Sequence, residues 1–211
     1  MRKVLFMGDS LTYGFDPRGA FGGRYPESVR WTDTLSARMI KEWEIKTAAE
    51  PGREIPETPF EIEAAHELIS SFMPFDLLAV MLGLNDYLNM YQPDIVEVTG
   101  RMKRFLEDVR ALDSFIMHDV KILLIAPPAI HTAQDDFYGK YDTTNGIFSK
   151  AYRALAEHLG VFFADAKAWN LPPAFDGIHL SEEGNRLFAD RMEETLNHIA
   201  LRLSVDPEDA V

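Results

Sequence analysis

The chain has 211 residues, a size that fits one α/β domain better than two, and 46% hydrophobic with 26% charged residues is a mix that buries a full core. Its formal net charge of −13 argues against nucleic acid or an anionic membrane as main partner, because both reward clustered Lys and Arg. Cysteine is absent, which excludes disulfides, thiolate metal sites and cysteine nucleophiles.

Lys3–Met7 reads as the first buried strand. The stretch between the basic pair Arg2-Lys3 and Gly8 is too short for the apolar region of a secretory signal, so a cytoplasmic location is expected. No apolar run approaches the ~20 residues that cross a bilayer. Gly8-Asp9-Ser10-Leu11-Thr12-Tyr13-Gly14 follows directly, then a long loop over Phe15–Arg30. Trp31, Leu35 and Met39 share a helical face. Glu44–Ala48 is a weaker strand and leads into Pro51-Gly52-Arg53.

Phe75–Leu82 is the third strand, followed by Gly83-Leu84-Asn85-Asp86. Ile95, Val98, Met102, Phe105, Val109 and Ile116 form a long helical stripe. Lys121–Ala126 is the fourth strand, and a second long loop, Pro127–Gly146, starts with two prolines. Phe148, Tyr152, Leu155 and Leu159 make another stripe before a fifth strand at Val161–Phe163. Asp176-Gly177-Ile178-His179 comes next, with Ser181 as a plausible N-cap and Glu182 and Glu183 at the positive end of the last helix. Phe188, Met192, Leu196, Ile199 and Leu203 carry that helix to the end of a single domain, residues 1–204, and an acidic tail spans 205–211.

Near-continuous apolar strands alternating with amphipathic helices imply a three-layer α/β/α fold around a five-stranded parallel, flavodoxin-like sheet. Ligands in such sheets bind beyond the carboxyl ends of the strands. Chemistry is therefore sought in the segments that follow each strand. Ser10 stands at the first such turn, where a helix start offers free N–H groups to a developing negative charge. By itself G-D-S is an ordinary turn. Asp176, three residues before His179, can accept the Nδ1–H bond while Nε2 points toward a nucleophile, which is what an activated serine requires. Asn85 could donate into the same rim as an oxyanion stabiliser, and the Gly52 N–H likewise, although each alone could be a turn residue.

These blocks resemble those of the SGNH (GDSL-type) hydrolases: GDSLTYG, the glycine of PGRE, GLND and DGIHLSEEGN, in the family's order, from Gly8 to Asn185. Val29-Arg30-Trp31 and Pro127-Pro128 resemble the bacterial arylesterase and acyltransferase branch. The resemblance implies a serine esterase with Ser10 as nucleophile, His179 as base and then acid, and Asp176 orienting it. It implies an oxyanion hole of the Ser10 and Gly52 N–H groups with the Asn85 side chain. Two positions depart from the pattern: Thr47 stands where an Asn commonly opens the second block, and Leu84 where a Thr is usual in the third.

The expected substrate is a small-molecule carboxylic ester with a short acyl group such as acetyl, since no long apolar lid is visible, and acyl transfer to alcohols is a further outcome. No cofactor or metal is expected: H-E-x-x-H, G-x-x-x-x-G-K-[ST] and G-x-G-x-x-G are all missing. Phe15, Phe21, Trp31, Tyr87 and Tyr91 are placed to line the rim, and Asp9, Trp31, Tyr87 and His131 are candidate substrate contacts, Asp9 mainly as a turn residue. His66, His118, His158 and His198 read as surface residues. The aromatics and arginines of Phe15–Arg30, together with the acyltransferase resemblance, lead to an expected homo-oligomer. The competing reading is a non-catalytic ligand-binding module on the same fold; an acidic phosphoacceptor domain would need acids clustered after the first strand, and Asp9 alone does not supply them.

Overall fold

The computed structural model describes residues 1–19, 22–132 and 146–204. Phe21, most of the Pro127–Gly146 loop and the acidic tail lie outside them. From the N-terminus the chain runs through β1 (Arg2–Gly8), the one-turn α1 (Ser10–Tyr13), β2 (Phe15–Asp16) and β3 (Gly23–Arg24), α2 (Trp31–Arg38) and β4 (Trp43–Ala49). It continues with α3 (Pro59–Ser71), β5 (Leu77–Met81), α4 (Leu84–Asn89), α5 (Ile95–Arg110) and α6 (Asp113–Met117). The last elements are β6 (Lys121–Ala126), α7 (Ile147–Leu159), β7 (Phe162–Asp165), a 3-10 turn at Ala166–Trp169 and α8 (Glu182–Ser204).

Five strands form one sheet in the order β4-β1-β5-β6-β7, and every pairing is parallel. All five residues of β5 are buried, as a strand covered on both faces requires. Fully burying one Leu or Val of this kind is worth about 1.5–3 kcal/mol, so the apolar runs dominate the placing of the strands. Phe6 of β1 meets Trp31 of α2 edge-on at 5.0 Å, and Trp31 in turn meets Phe188 of α8 at 4.4 Å. Thus α2 and α8 pack together on that face, while α5 and α7 contact one another beside β6 and β7.

Local chemistry fixes the helix ends. Thr58 and Glu61 form a reciprocal capping box at α3, and Asp94 caps α5 through the Val96 N–H. Ser181 Oγ accepts the Gly184 N–H at 3.0 Å, the cap expected for α8. The long stripe drawn through Ile116 is corrected: the helix stops at Arg110, and Ile116 belongs to the separate α6, where it is 69% exposed. The antiparallel β2–β3 ribbon inside the Phe15–Arg30 loop was not foreseen either.

The strand order reverses direction at β1. From there the chain builds β4 on one side, then β5, β6 and β7 on the other. Ser10 follows β1 and Asn85 follows β5, so both stand at this switch point, where a crevice opens beyond the strand ends.

Candidate active site

Ser10 opens α1, whose N-cap is Asp9. One Asp9 oxygen accepts the Leu11 N–H at 2.9 Å, and the Asp9 carbonyl accepts from Thr12 and Tyr13. The Ser10 N–H, at the start of the turn, has no protein acceptor among the described residues. Trp31 Nε1 donates to the Leu11 carbonyl at 2.9 Å and holds α1 against the core.

Across the crevice, Asp176 and His179 share a tight turn before α8. Asp176 Oδ1 accepts the N–H groups of Ile178 and His179 at 3.1 and 3.0 Å, while its Oδ2 lies 2.6 Å from His179 Nδ1. His179 Nε2 is 3.0 Å from Ser10 Oγ. With Nδ1–H donated to the carboxylate, Nε2 presents its lone pair to the serine hydroxyl. Burial pulls the Asp176 carboxyl upward, but the hydrogen bond and charge of His179 and the two backbone donors outweigh it, leaving it below the usual carboxylate value. The side chains of His179 and Asp176 are 17% and 23% exposed, sheltered enough to strengthen their interaction and open enough to meet a substrate.

This turn is possible because Gly177 adopts a φ of +71° while its Cα faces the His131 carbonyl. A Cβ there would come 2.1 Å from that oxygen, and the His131 N–H donates to the Gly177 carbonyl at 2.7 Å. Phe15 covers the other side of the site, its ring 4.5 Å from the His179 imidazole between centroids.

The loop after β4 is fastened at several points. Arg53 donates to the carbonyls of Ala48 and Gly8 at 2.6 and 3.2 Å, and pairs with Glu50. Asn85 Nδ2 donates to the Arg53 carbonyl at 3.1 Å and to Asp9 Oδ2 at 3.3 Å. The buried carboxylate of Asp86 accepts the Ile55 N–H, with Arg101 3.8 Å away. Gly52, at the exposed turn of this loop, keeps an N–H without a protein acceptor among the described residues. Burial lifts the carboxyl groups of both Asp9 and Asp86 to about 6, against their backbone donors.

Ser10, Asp176, His179 and Asn85 are thus brought to one end of the sheet, with Gly52 one residue from the carbonyl that Asn85 touches. The substrate contacts expected of Trp31 and Asp9 are corrected. Trp31 is fully buried between Phe6 and Phe188, and Asp9 is 2% exposed with both oxygens turned inward. Tyr87 is buried edge-on against Phe148 and borders a small crevice with Leu84, Pro127 and Pro128. His131 is exposed, and its backbone rather than its ring braces the His179 turn. Tyr91 is 93% exposed.

Sequence reasoning missed three contributors. Arg53 stood beside the glycine that drew attention, and nothing in its local spacing announced the two carbonyls it reaches. The Tyr152 hydroxyl donates to the Leu82 carbonyl at 2.9 Å, directly under Gly83, whose φ of +108° and lack of Cβ admit it. Asn185, quoted only as part of a block, accepts the Trp31 N–H and donates to the Ser181 carbonyl, tying α2 to α8.

A doubly wound parallel sheet with a Ser–His–Asp relay at its switch point defines the class of a serine-dependent hydrolase. The chain belongs to the GDSL-like lipase/acylhydrolase family, which residues 6–187 match, and it is a carboxylic ester hydrolase. A carbohydrate acetylesterase from Sinorhizobium meliloti is similar in structure, with a TM-score of 0.80 at 25% identity over 94% of this chain and 100% of that one. The aryl esterase of M. smegmatis shares the fold, with a TM-score of 0.80 at 23% identity over 94% and 99%. An acetyl xylan esterase from Geobacillus stearothermophilus is a more distant likeness, with a TM-score of 0.64 at 19% identity over 89% and 91%. No curated relative matches the sequence.

Proposed function

We propose that this protein cleaves short-chain carboxylic esters, acetyl esters first among them, through an acyl-enzyme on Ser10. The observation that carries the reading is the unbroken relay, with Ser10 Oγ 3.0 Å from His179 Nε2 and His179 Nδ1 2.6 Å from Asp176 Oδ2. Ser10 Oγ attacks the ester carbonyl while His179 takes its proton, and Asp176 stabilises the imidazolium that forms. The N–H groups of Ser10 and Gly52 and the Asn85 amide receive the oxyanion. His179 then protonates the leaving alcohol. Water, activated in the same way, releases the acid, and an added alcohol in the place of water receives the acyl group instead.

The acetyl preference is supported by the similarity to a carbohydrate acetylesterase and by the Phe15 ring standing against His179, which narrows one side of the site. A non-catalytic binding module would have no use for an intact relay. The test is a series of p-nitrophenyl esters from acetate to dodecanoate, followed by acetylated sugars. Highest kcat/KM on the acetate or butyrate supports the reading, and a rate that climbs with chain length contradicts it.

A further inference from the structure

The proposed function gives Asn85 the task of donating to the oxyanion, and in the resting protein its amide nitrogen lies 3.1 Å from the Arg53 carbonyl oxygen and 3.3 Å from Asp9 Oδ2. The second oxygen of Asp9 accepts the Leu11 N–H and caps the turn on which Ser10 sits. One buried carboxylate therefore joins the nucleophile's turn after β1 to the amide after β5, two segments 76 residues apart. Resting on that function, we propose that Asp9 is a positioning residue whose carboxylate fixes the plane of the Asn85 amide beside Ser10 before the oxyanion forms.

Capping does not explain this residue. Asn and Ser cap a helix as well as Asp does, without a charge to bury. Here burial lifts the carboxyl to about 6, so the fold tolerates a penalty that either alternative would avoid. What Asp supplies beyond them is a second acceptor oxygen on the far side of the group. The terminal torsion of an Asn side chain is broad and roughly two-fold, so an amide held by the Arg53 carbonyl alone is free to swing. A donor aimed in advance needs no reorganisation when charge develops, which is where such groups gain their effect on rate.

The test is a double-mutant cycle on ester hydrolysis with Asp9→Asn, Asn85→Ala and the pair. Asp9→Asn keeps an oxygen for Leu11 and turns an –NH2 toward Asn85, so the cap survives and the link is lost. A fall in kcat on the order of 10²–10³ with KM within about threefold is expected for each single variant. The pair should be no worse than Asn85→Ala alone, because both changes remove one effect. Asp9→Ser, which caps but is too short to reach Asn85, should repeat the result, and a Tm no lower than that of the wild type for either Asp9 variant separates positioning from unfolding. Wild-type kcat in Asp9→Asn and Asp9→Ser, alongside a damaged Asn85→Ala, overturns the positioning role and leaves the proposed function standing. Losses that multiply in the pair also overturn it, since Asp9 would then act by another route. Full activity in Asn85→Ala removes instead the oxyanion role on which the inference rests.

Discussion

Ser10 Oγ has one hydrogen-bond partner among the described residues, His179 Nε2, so Ser10→Ala deletes the reacting atom and little else. Ester hydrolysis should fall by at least about 10³-fold while the Tm stays within a few degrees, read by p-nitrophenyl acetate turnover and thermal melts. Turnover within tenfold of wild type would show that another group is the nucleophile. The relay was legible in the sequence because each member follows a strand and Asp176 stands three residues before His179. The Asp9–Asn85 contact was not, because it joins distant segments and no local spacing encodes it. Trp31 was misread for a related reason: an aromatic at a loop's end looks the same whether it faces the rim or, as here, the core.

The turn from Asp176 to His179 depends on a glycine, and this makes it a target one element in size. Gly177→Ala forces a Cβ toward the His131 carbonyl and strains a φ of +71°. Backbone outliers of this sort cost on the order of 1–3 kcal/mol. The expected outcome is a lower Tm and a loss of kcat together, since Asp176 and His179 move with the turn; an unchanged pair of values would mean that the turn relaxes without cost. Four of the five main strands were readable as short apolar runs and β4 as a weaker one broken by Glu44, Lys46 and Thr47, and their observed bounds differ by at most two residues from those read in the sequence. The β2–β3 ribbon was not readable, since two residues per strand carry no alternation. Ile116 hid the break between α5 and α6: an apolar residue seven positions after Val109 continues a stripe on paper even where the helix has ended.

At the scale of the whole molecule, two buried carboxyl groups give stability a distinctive pH dependence. Burial holds Asp86 at about 6 against an ordinary 3.8. Between those values the folded chain keeps a proton that the unfolded chain has lost. The contribution is therefore complete below about pH 4 and lost as the pH rises through 6. Asp86→Asn lacks this dependence, so its stability relative to wild type should rise by on the order of 1–2 kcal/mol between pH 5 and pH 7.5 in urea unfolding. Parallel stability curves would contradict the burial of a titrating carboxyl.

Assembly is a separate proposal. Phe15 and Tyr25, two of the residues that suggested an interface between copies, pack within the chain instead, while Arg18 and Arg24 of that loop are exposed. Light scattering at micromolar concentration should still give at least twice the 24.0 kDa of one chain if the loop joins copies, and 24.0 kDa refutes the homo-oligomer.

No helix among the described residues is long and apolar enough to cross a membrane. The central claim is that Ser10 is the activated nucleophile of the relay, and intact-protein mass after treatment with a fluorophosphonate tests it most directly. One adduct per chain is predicted, mapped to Ser10, abolished by Ser10→Ala and slowed at least about 10³-fold by His179→Ala. An unmodified protein, or an adduct elsewhere that survives Ser10→Ala, would contradict it.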